Sequence, residues 1–240
     1  MIFRYWLPLG FVLFSMLTAG FAAGGPQGFG TVVVDAGHGG YDPGGMLGVP
    51  TRPTEKAATL DVAQRLARIL RGHGLRVVMT RTSDVYVTLG QRMAFTEGLR
   101  GQAIFVSIHF NAALRAGARG IETYYFRPDS LGLAVRIHGA VTAATSDENR
   151  FVHRRGFFVI RRSAIPAVLC EGGFLTNPDD RRLIDQRDYR QKLAAAIAAG
   201  ILAQQSAGNP AGVQAPRLES SPGTTRRQHR HTSHRVHRKH

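Results

Sequence analysis

Residues 31–40 have the sequence TVVVDAGHGG, in which an apolar run ends at an aspartate, glycines and a histidine. A run of β-branched residues without polar alternation is typical of a strand that is buried on both faces. The run Ile104-Phe105-Val106 has the same character. Such strands occur in sheets that helices cover on both sides. The two runs therefore predict a layered α/β domain.

The remainder of the central region alternates between predicted strands and helices. Thr54 can cap a helix that begins at Glu55, and leucines and alanines three or four residues apart give this helix one apolar stripe. The pattern ends at Gln205, so we predict a single α/β domain over residues 28–205. The predicted strands are 31–35, 75–79, 103–108, 121–126, 156–160 and 167–170, and the predicted helices are 55–71, 88–99, 130–145 and 188–204.

The two ends of the chain differ in composition from this domain. Arg4 precedes an apolar run at 7–21 that small residues follow, which predicts a secretory signal peptide over residues 1–23. An uncleaved membrane anchor is the alternative, although the run is short for a spanning helix. Residues 206–240 contain almost no large apolar residue, which predicts a disordered tail rich in arginine and histidine. We therefore expect export to the periplasm, the cell wall or the extracellular space.

The charge of the chain favours an anionic partner. There are 31 Lys and Arg residues against 16 Asp and Glu residues, a formal net charge of +15. Six basic residues and five histidines lie at 224–240. One interpretation is that they contact an anionic envelope polymer or membrane surface, and an equally weighted one is a solvated tail without a partner. Nucleic acid is not expected, because the tail is exported and has no aromatic residues for stacking. Cys170 is the single cysteine, so no intramolecular disulfide forms, and nothing requires more than a monomer.

Metal-ligand and acid–base side chains follow three of the predicted strands. His38 follows the first strand, His109 follows the third and Glu171 follows the last, while Glu55 begins the first helix. Ligand sites of α/β sheets lie beyond the carboxyl ends of the strands, so we expect these four side chains to converge. Two histidines and a carboxylate are a common ligand set for catalytic zinc, and a further glutamate can act as general base. Taken singly, each residue also has a purely structural explanation.

Four motifs occur in order along this domain. They are VVDAGHGGYDPG at 33–44, TEK at 54–56, SIH at 107–109 with Asn111, and PAVLCEGGFLTN at 166–177. Together they resemble the zinc-dependent N-acetylmuramoyl-L-alanine amidases of the type 3 amidase family, over nearly all of residues 30–203. The resemblance implies a twisted, mostly parallel six-stranded sheet between helices. It also implies that zinc is held by His38, Glu55 and His109, and that Glu171 is the catalytic carboxylate.

The implied substrate is peptidoglycan, cut at the amide between the lactyl group of N-acetylmuramic acid and L-alanine. Phe174 is a candidate for an apolar wall that raises the pKa of Glu171. Cys170 and Gly173 depart from the larger or aliphatic residues usual in the family, which suggests a different pocket wall. The alternatives are a zinc carboxypeptidase or endopeptidase acting on wall peptides, and an inactive wall-binding module attached through the basic tail.

Overall fold

The computed structural model describes residues 28–45, 54–115, 117–145 and 147–207. The predicted signal peptide and the basic tail lie outside these residues. Within the described ranges, strands and helices alternate around one six-stranded sheet. In this part of the chain, the helices all lack the length or the apolar character needed to cross a membrane.

The strands and helices follow one another in the order expected of an α/β domain. The strands are β1 (Thr31–Ala36), β2 (Arg76–Met79), β3 (Ala103–Asn111), β4 (Ile121–Tyr125), β5 (Asn149–Arg154) and β6 (Ala167–Phe174). The helices are α1 (Glu55–Gly72), α2 (Leu89–Ala94), α3 (Leu131–Thr145), α4 (Phe158–Arg161), α5 (Pro178–Asp185) and α6 (Arg187–Ala207), and a 3₁₀ turn lies at Pro128–Ser130.

The strand order is β2-β1-β3-β6-β4-β5. The first four of these strands are parallel, β4 is antiparallel to β6, and β5 is parallel to β4. The prediction of a mostly parallel six-stranded sheet is therefore confirmed. Because β4 is reversed, its first residues meet the carboxyl ends of β3 and β6 at one edge. The register there aligns His109 with Glu171, and Glu171 with Glu122.

The sheet is covered on both faces, as predicted. One face packs against α1, α3 and α6 and includes the buried side chains of Val34, Val106 and Cys170. The other face packs against α2 and α4 and includes Val33 and Phe105. Successive residues of a strand point to opposite faces, which explains why unbroken apolar runs occupy β1 and β3.

The predicted strand at 156–160 is wrong. The edge strand is β5, which lies upstream at Asn149–Arg154, and the apolar residues that follow it form the short helix α4. Val159 and Ile160 of this helix are buried against the sheet. A short apolar run fits a strand and a buried helical turn equally well. β5 itself has a polar sequence with exposed positions, so it lacks the apolar signal of a buried strand.

Helix boundaries also differ from the predictions. α2 ends at Ala94, well before the predicted residue 99, and Gly98 adopts a positive φ of 72° in the turns that follow. α5 was not predicted, although Asn177 caps its first turn by accepting two backbone hydrogen bonds. Thr54 occupies the N-cap position of α1, but its side chain makes no capping hydrogen bond.

Candidate metal centre and groove

His38, Glu55 and His109 meet at the edge of the sheet, as the sequence predicted. Each offers one ligand atom, and the three atoms lie within 4.8 Å of one another. Nε2 of His38 and Nδ1 of His109 are each 3.0 Å from Oε1 of Glu55. Glu55 is only 3% exposed. The first turn of α1 therefore aims a buried carboxylate between two imidazole rings.

The donors at this cluster fit zinc. Two imidazole nitrogens and one carboxylate oxygen form a recognised ligand set for a catalytic zinc ion. Burial alone would raise the pKa of Glu55, but hydrogen bonds to His109 and His38 outweigh it and hold the pKa well below its usual value. The carboxylate is therefore ionised, which metal binding requires.

Two glycines leave the space that the cluster occupies. A Cβ atom on Gly37 would lie 2.4 Å from Cε1 of His109, and a Cβ atom on Gly44 would lie 2.5 Å from Oε2 of Glu55. Gly44 also adopts a positive φ of 72°, which side chains rarely allow. Gly37 and Gly44 of the first motif are thus required by the packing of the candidate metal centre.

The ring of His38 is oriented by Asp42. His38 adopts a left-handed φ of 60°, and its Nδ1 lies 2.8 Å from Oδ2 of Asp42. Burial would lower the pKa of His38, but hydrogen bonds with Glu55 and Asp42 outweigh it and raise the pKa. A carboxylate on the outer nitrogen of a metal-binding histidine fixes the tautomer and makes the inner nitrogen a better ligand. In the sequence, Asp42 lies within the first motif, and nothing local to it indicates this contact with His38.

A buried arginine holds the loop that carries His38. Arg92 of α2 donates from Nη1 to the carbonyl of Ala36 at 2.7 Å and from Nη2 to the carbonyl of His38 at 2.8 Å. The same guanidinium pairs with Asp35, at 2.5 Å between Nη1 and Oδ1. Both side chains of this pair are almost fully buried. The left-handed backbone at His38 is therefore tied to α2.

A second buried arginine joins the two chain segments that supply the first two candidate ligands, His38 and Glu55. Nη2 of Arg81 donates to the carbonyl of Gly37 and to the carbonyl of Lys56, each at 2.8 Å. Gly37 precedes His38 and Lys56 follows Glu55 in the chain. Arg81 thus fixes the spacing between these two ligands, and no periodic pattern in the sequence indicated this contact.

Glu171 lies beside the cluster, in register with His109. Its Oε2 atom is buried and has no hydrogen-bond partner among the described residues. Burial, together with the negative charges of Glu55 and Glu122, raises the pKa of Glu171 well above its usual value. Phe174, the predicted apolar wall, is buried, and the guanidinium of Arg150 lies over its ring, 5.1 Å from the centroid. The contribution of Phe174 to the raised pKa of Glu171 stays a prediction.

Glu122 is a buried acid that the sequence analysis missed. Nδ2 of Asn111 and Nε of Arg150 each donate to its carboxylate at 2.7 Å, and the Tyr124 hydroxyl also donates to it. Glu122 lies directly opposite Glu171 on the neighbouring antiparallel strand. The one feature of the sequence that indicated this buried acid is a glutamate within a predicted strand of β-branched and aromatic residues. Asn111 therefore lies at the site, where it contacts Glu122.

A groove of about 350 Å³ runs from the metal centre across the face covered by α2 and α4. Its floor includes His38 and His109, and its sides are mainly apolar and aromatic. The side chain of Cys170 packs into the core on the opposite face, so this departure from the family does not change the groove. The residues that form the sides are Tyr86, Val87, Leu89, Phe157, Phe158 and Val159.

Comparison with known proteins identifies the family. The family described as N-acetylmuramoyl-L-alanine amidase matches residues 32–203. The chain belongs to this family. Its match covers all four of the motifs and every residue of the metal cluster, and the structural neighbours of the chain are amidase catalytic domains of the same fold.

Individual relatives agree with this assignment. The probable cell wall amidase LytH of Staphylococcus epidermidis is 36% identical over 171 residues, which are 71% of this chain and 57% of that protein. The chain thus spans little more than half the length of that curated relative. The catalytic domain of CwlV from Bacillus (Paenibacillus) polymyxa var. colistinus is 36% identical with a TM-score of 0.69, and the match covers 74% of this chain and 98% of that one. AmiC2 of Nostoc punctiforme is 34% identical with a TM-score of 0.68, covering 75% and 99%.

Proposed function

We propose that this protein is a zinc-dependent N-acetylmuramoyl-L-alanine amidase that hydrolyses peptidoglycan. The bond cleaved is the amide between the lactyl group of N-acetylmuramic acid and L-alanine. One observation carries the proposal: a His-Glu-His cluster suited to zinc lies at the floor of a groove, with an unpartnered buried carboxylate, Glu171, beside it. Family membership supports the same reaction.

The ligands proposed for zinc are His38, Glu55 and His109. When bound there, zinc activates a water molecule and polarises the amide carbonyl. Glu171 takes a proton from the attacking water and delivers it to the departing nitrogen. A carboxylate that acts first as base and then as acid works best with a pKa above that of an ordinary glutamate, and burial with two neighbouring acids raises the pKa of Glu171 in that direction.

The surrounding residues hold these groups in place. Asp42 keeps the inner nitrogen of His38 directed at Glu55. Glu122 is held opposite Glu171 by hydrogen bonds from Asn111 and Arg150. The aromatic sides of the groove restrict water around the scissile amide, which strengthens electrostatic interactions within the site.

The proposal extends to the cellular context. Peptidoglycan lies outside the cytoplasm, which agrees with the signal peptide predicted at residues 1–23 and with action in the periplasm or cell wall. The tail at 206–240 is proposed to contact anionic envelope polymers, and the protein is proposed to act as a monomer without nucleic acid. The boundaries of the catalytic domain, 28–205, stay a prediction.

Mass spectrometry of digested peptidoglycan tests the reaction. Purified protein is incubated with zinc, with a chelator, or as the Glu171→Ala variant. We expect zinc-dependent release of stem peptides that have a free L-alanine amine, and a loss of about two to four decades in turnover in the variant. Shortened peptides that stay attached to glycan would instead indicate a peptidase. An unchanged substrate under all conditions would indicate a wall-binding module.

A further inference from the structure

An arginine-rich segment borders the groove. Residues 149–162 carry five arginines and one histidine but no acid. The same segment supplies Phe157, Phe158 and Val159 to one side of the groove. A cationic segment along a substrate groove attracts anionic ligands. The basic residues of the segment are Arg150, His153, Arg154, Arg155, Arg161 and Arg162.

Two of these arginines, Arg150 and Arg154, are already engaged within the fold. Arg150 pairs with Glu122, at 2.7 Å between Nε and Oε1. Arg154 lies over the ring of Phe126, with its Cζ atom 5.3 Å from the ring centroid, and it also donates to the Phe126 carbonyl.

Arg155 differs from these neighbours. It is exposed, and its guanidinium makes one hydrogen bond, a long one of 3.3 Å to the carbonyl of Arg154. In the described part of the chain, Arg155 pairs with no acid. Its guanidinium therefore retains most of its hydrogen-bonding capacity for a ligand.

Arg155 adjoins the groove through Phe157, which lines the groove two residues later. The backbone N–H of Arg155 donates to the carbonyl of Tyr125, so Arg155 lies farther toward the amino end of β6 than Glu171 does. The ring of Phe157 packs edge-on against Tyr124, with the ring centroids 5.0 Å apart. The Tyr124 hydroxyl donates to Glu122, the strand partner of Glu171. Burial raises the pKa of Tyr124, and the positive charge of Arg155 opposes that rise, which agrees with this placement.

Among the described residues, Arg92 is the one basic side chain that lines the groove besides the two histidines of the cluster. The lining also contains Asp35 and Asp42, and Arg92 is neutralised by its buried pair with Asp35. A guanidinium binds a carboxylate through two parallel hydrogen bonds, a geometry that lysine cannot reproduce. We propose that Arg155 binds a carboxylate of an acidic stem peptide. This inference rests on the function proposed above and adds a substrate preference to it.

Steady-state kinetics on two soluble muropeptides test the inference. The two substrates differ only in whether the stem carboxylates are free or amidated. In the zinc-loaded full-length protein, Arg155→Gln should raise KM for the free-carboxylate substrate by about tenfold with kcat unchanged, the scale of one hydrogen bond to a charged group. The amidated substrate should show no change. Arg155→Lys should recover part of the loss, because it restores charge but not the paired hydrogen bonds.

The control is Arg68→Gln, an exposed arginine on α1 at the opposite face of the sheet. It should leave both substrates unaffected, and melting temperatures should show that all variants fold. If Arg155→Gln changes KM equally for both substrates, or for neither, the inference is overturned. In that case the proposed amidase function still stands, provided that the wild type turns over the substrates. If the wild type releases no free L-alanine amine from either substrate, the proposed function fails, and Arg155 has no stem peptide to select.

Discussion

Oδ2 of Asp42 lies 2.8 Å from Nδ1 of His38, and this contact leaves Nε2 as the ring nitrogen that faces Glu55. Outer partners of this kind set both the orientation and the basicity of a metal-binding histidine. We therefore expect Asp42→Ala to weaken zinc binding by about 10- to 100-fold. Competition with a chromophoric chelator measures the affinity directly. Asp129→Ala, which removes an ion pair with Arg127, is the control. Equal zinc affinity in Asp42→Ala and wild type would contradict the assigned role.

The close approach of Gly37 to His109 gives a second prediction. A methyl group at Gly37 would lie 2.4 Å from the His109 ring, so Gly37→Ala must displace a ligand. We expect weaker zinc binding and a loss of about 100-fold in turnover, the scale of an approximately 1 Å misplacement. Gly30→Ala is a matched control, because a Cβ atom there meets nothing within 4 Å. A Gly37→Ala variant with wild-type zinc affinity would show that the loop adjusts.

The raised pKa of Glu171 predicts a pH-dependent cost to folding without metal. Below the pKa of an unfolded glutamate, about 4.3, the carboxyl is protonated in both states, and Glu171→Gln should have little effect. As the pH rises from that value toward the raised folded pKa, the unfolded carboxyl ionises while the buried one stays protonated, so the wild type loses stability, whereas glutamine stays neutral in both states. Metal-free Glu171→Gln should therefore melt above the wild type at about pH 8 but not at about pH 4. Thermal denaturation with chelator measures both. The control is Glu97→Gln at an exposed position, which should change the melting temperature at neither pH. A Glu171→Gln protein that melts below the wild type at about pH 8 would refute the account.

The buried pair of Arg92 and Asp35 gives a fourth prediction. Arg92→Met leaves the carboxylate of Asp35 uncompensated in the core, although Thr80 and Ser107 still donate to it. We expect the free energy of unfolding to fall by about 3–5 kcal/mol. Urea denaturation of the metal-free protein measures this change.

The corresponding control is an exposed ion pair. Arg182 pairs with Asp179 and its side chain is 71% exposed, so Arg182→Met should cost less than about 1 kcal/mol. Changing Asp35 to Asn together with Arg92→Met should recover part of the loss, because no buried charge is then left unpaired. If Arg92→Met matched the exposed control in stability, the buried pair would not stabilise the fold.

The sequence predicted those features for which a short run of residues has one strong structural preference. Apolar runs identified β1 and β3 because both of their faces are buried. His38 and His109 could be placed at the sheet edge because each directly follows such a run. Glu55 was located by the helix that it begins. These features are local, so a single stretch of chain contains the whole signal.

The remaining features depend on residues distant in the chain. Arg81 and Arg92 resemble ordinary surface arginines in sequence, and only the fold brings them to the carbonyls around His38. Glu122 becomes part of the site through its pairing with β6 and its bond to Arg150. β5 is held as an edge strand by its neighbour β4, and its own composition does not predict it.

The reversed strands β4 and β5 separate the part of the sheet that borders the substrate from the part that holds the metal cluster. The metal cluster is built from segments around β1 and β3, whereas Glu122, Arg150 and Arg155 belong to the reversed pair and the segment after it. The described residues of the connections that enter β4 and β5 supply none of the three residues of the metal cluster. Loops on a rigid scaffold accept insertions and exchanges readily. Lineages of this fold can therefore acquire new substrate ranges through that half of the sheet while the hydrolytic chemistry is inherited intact.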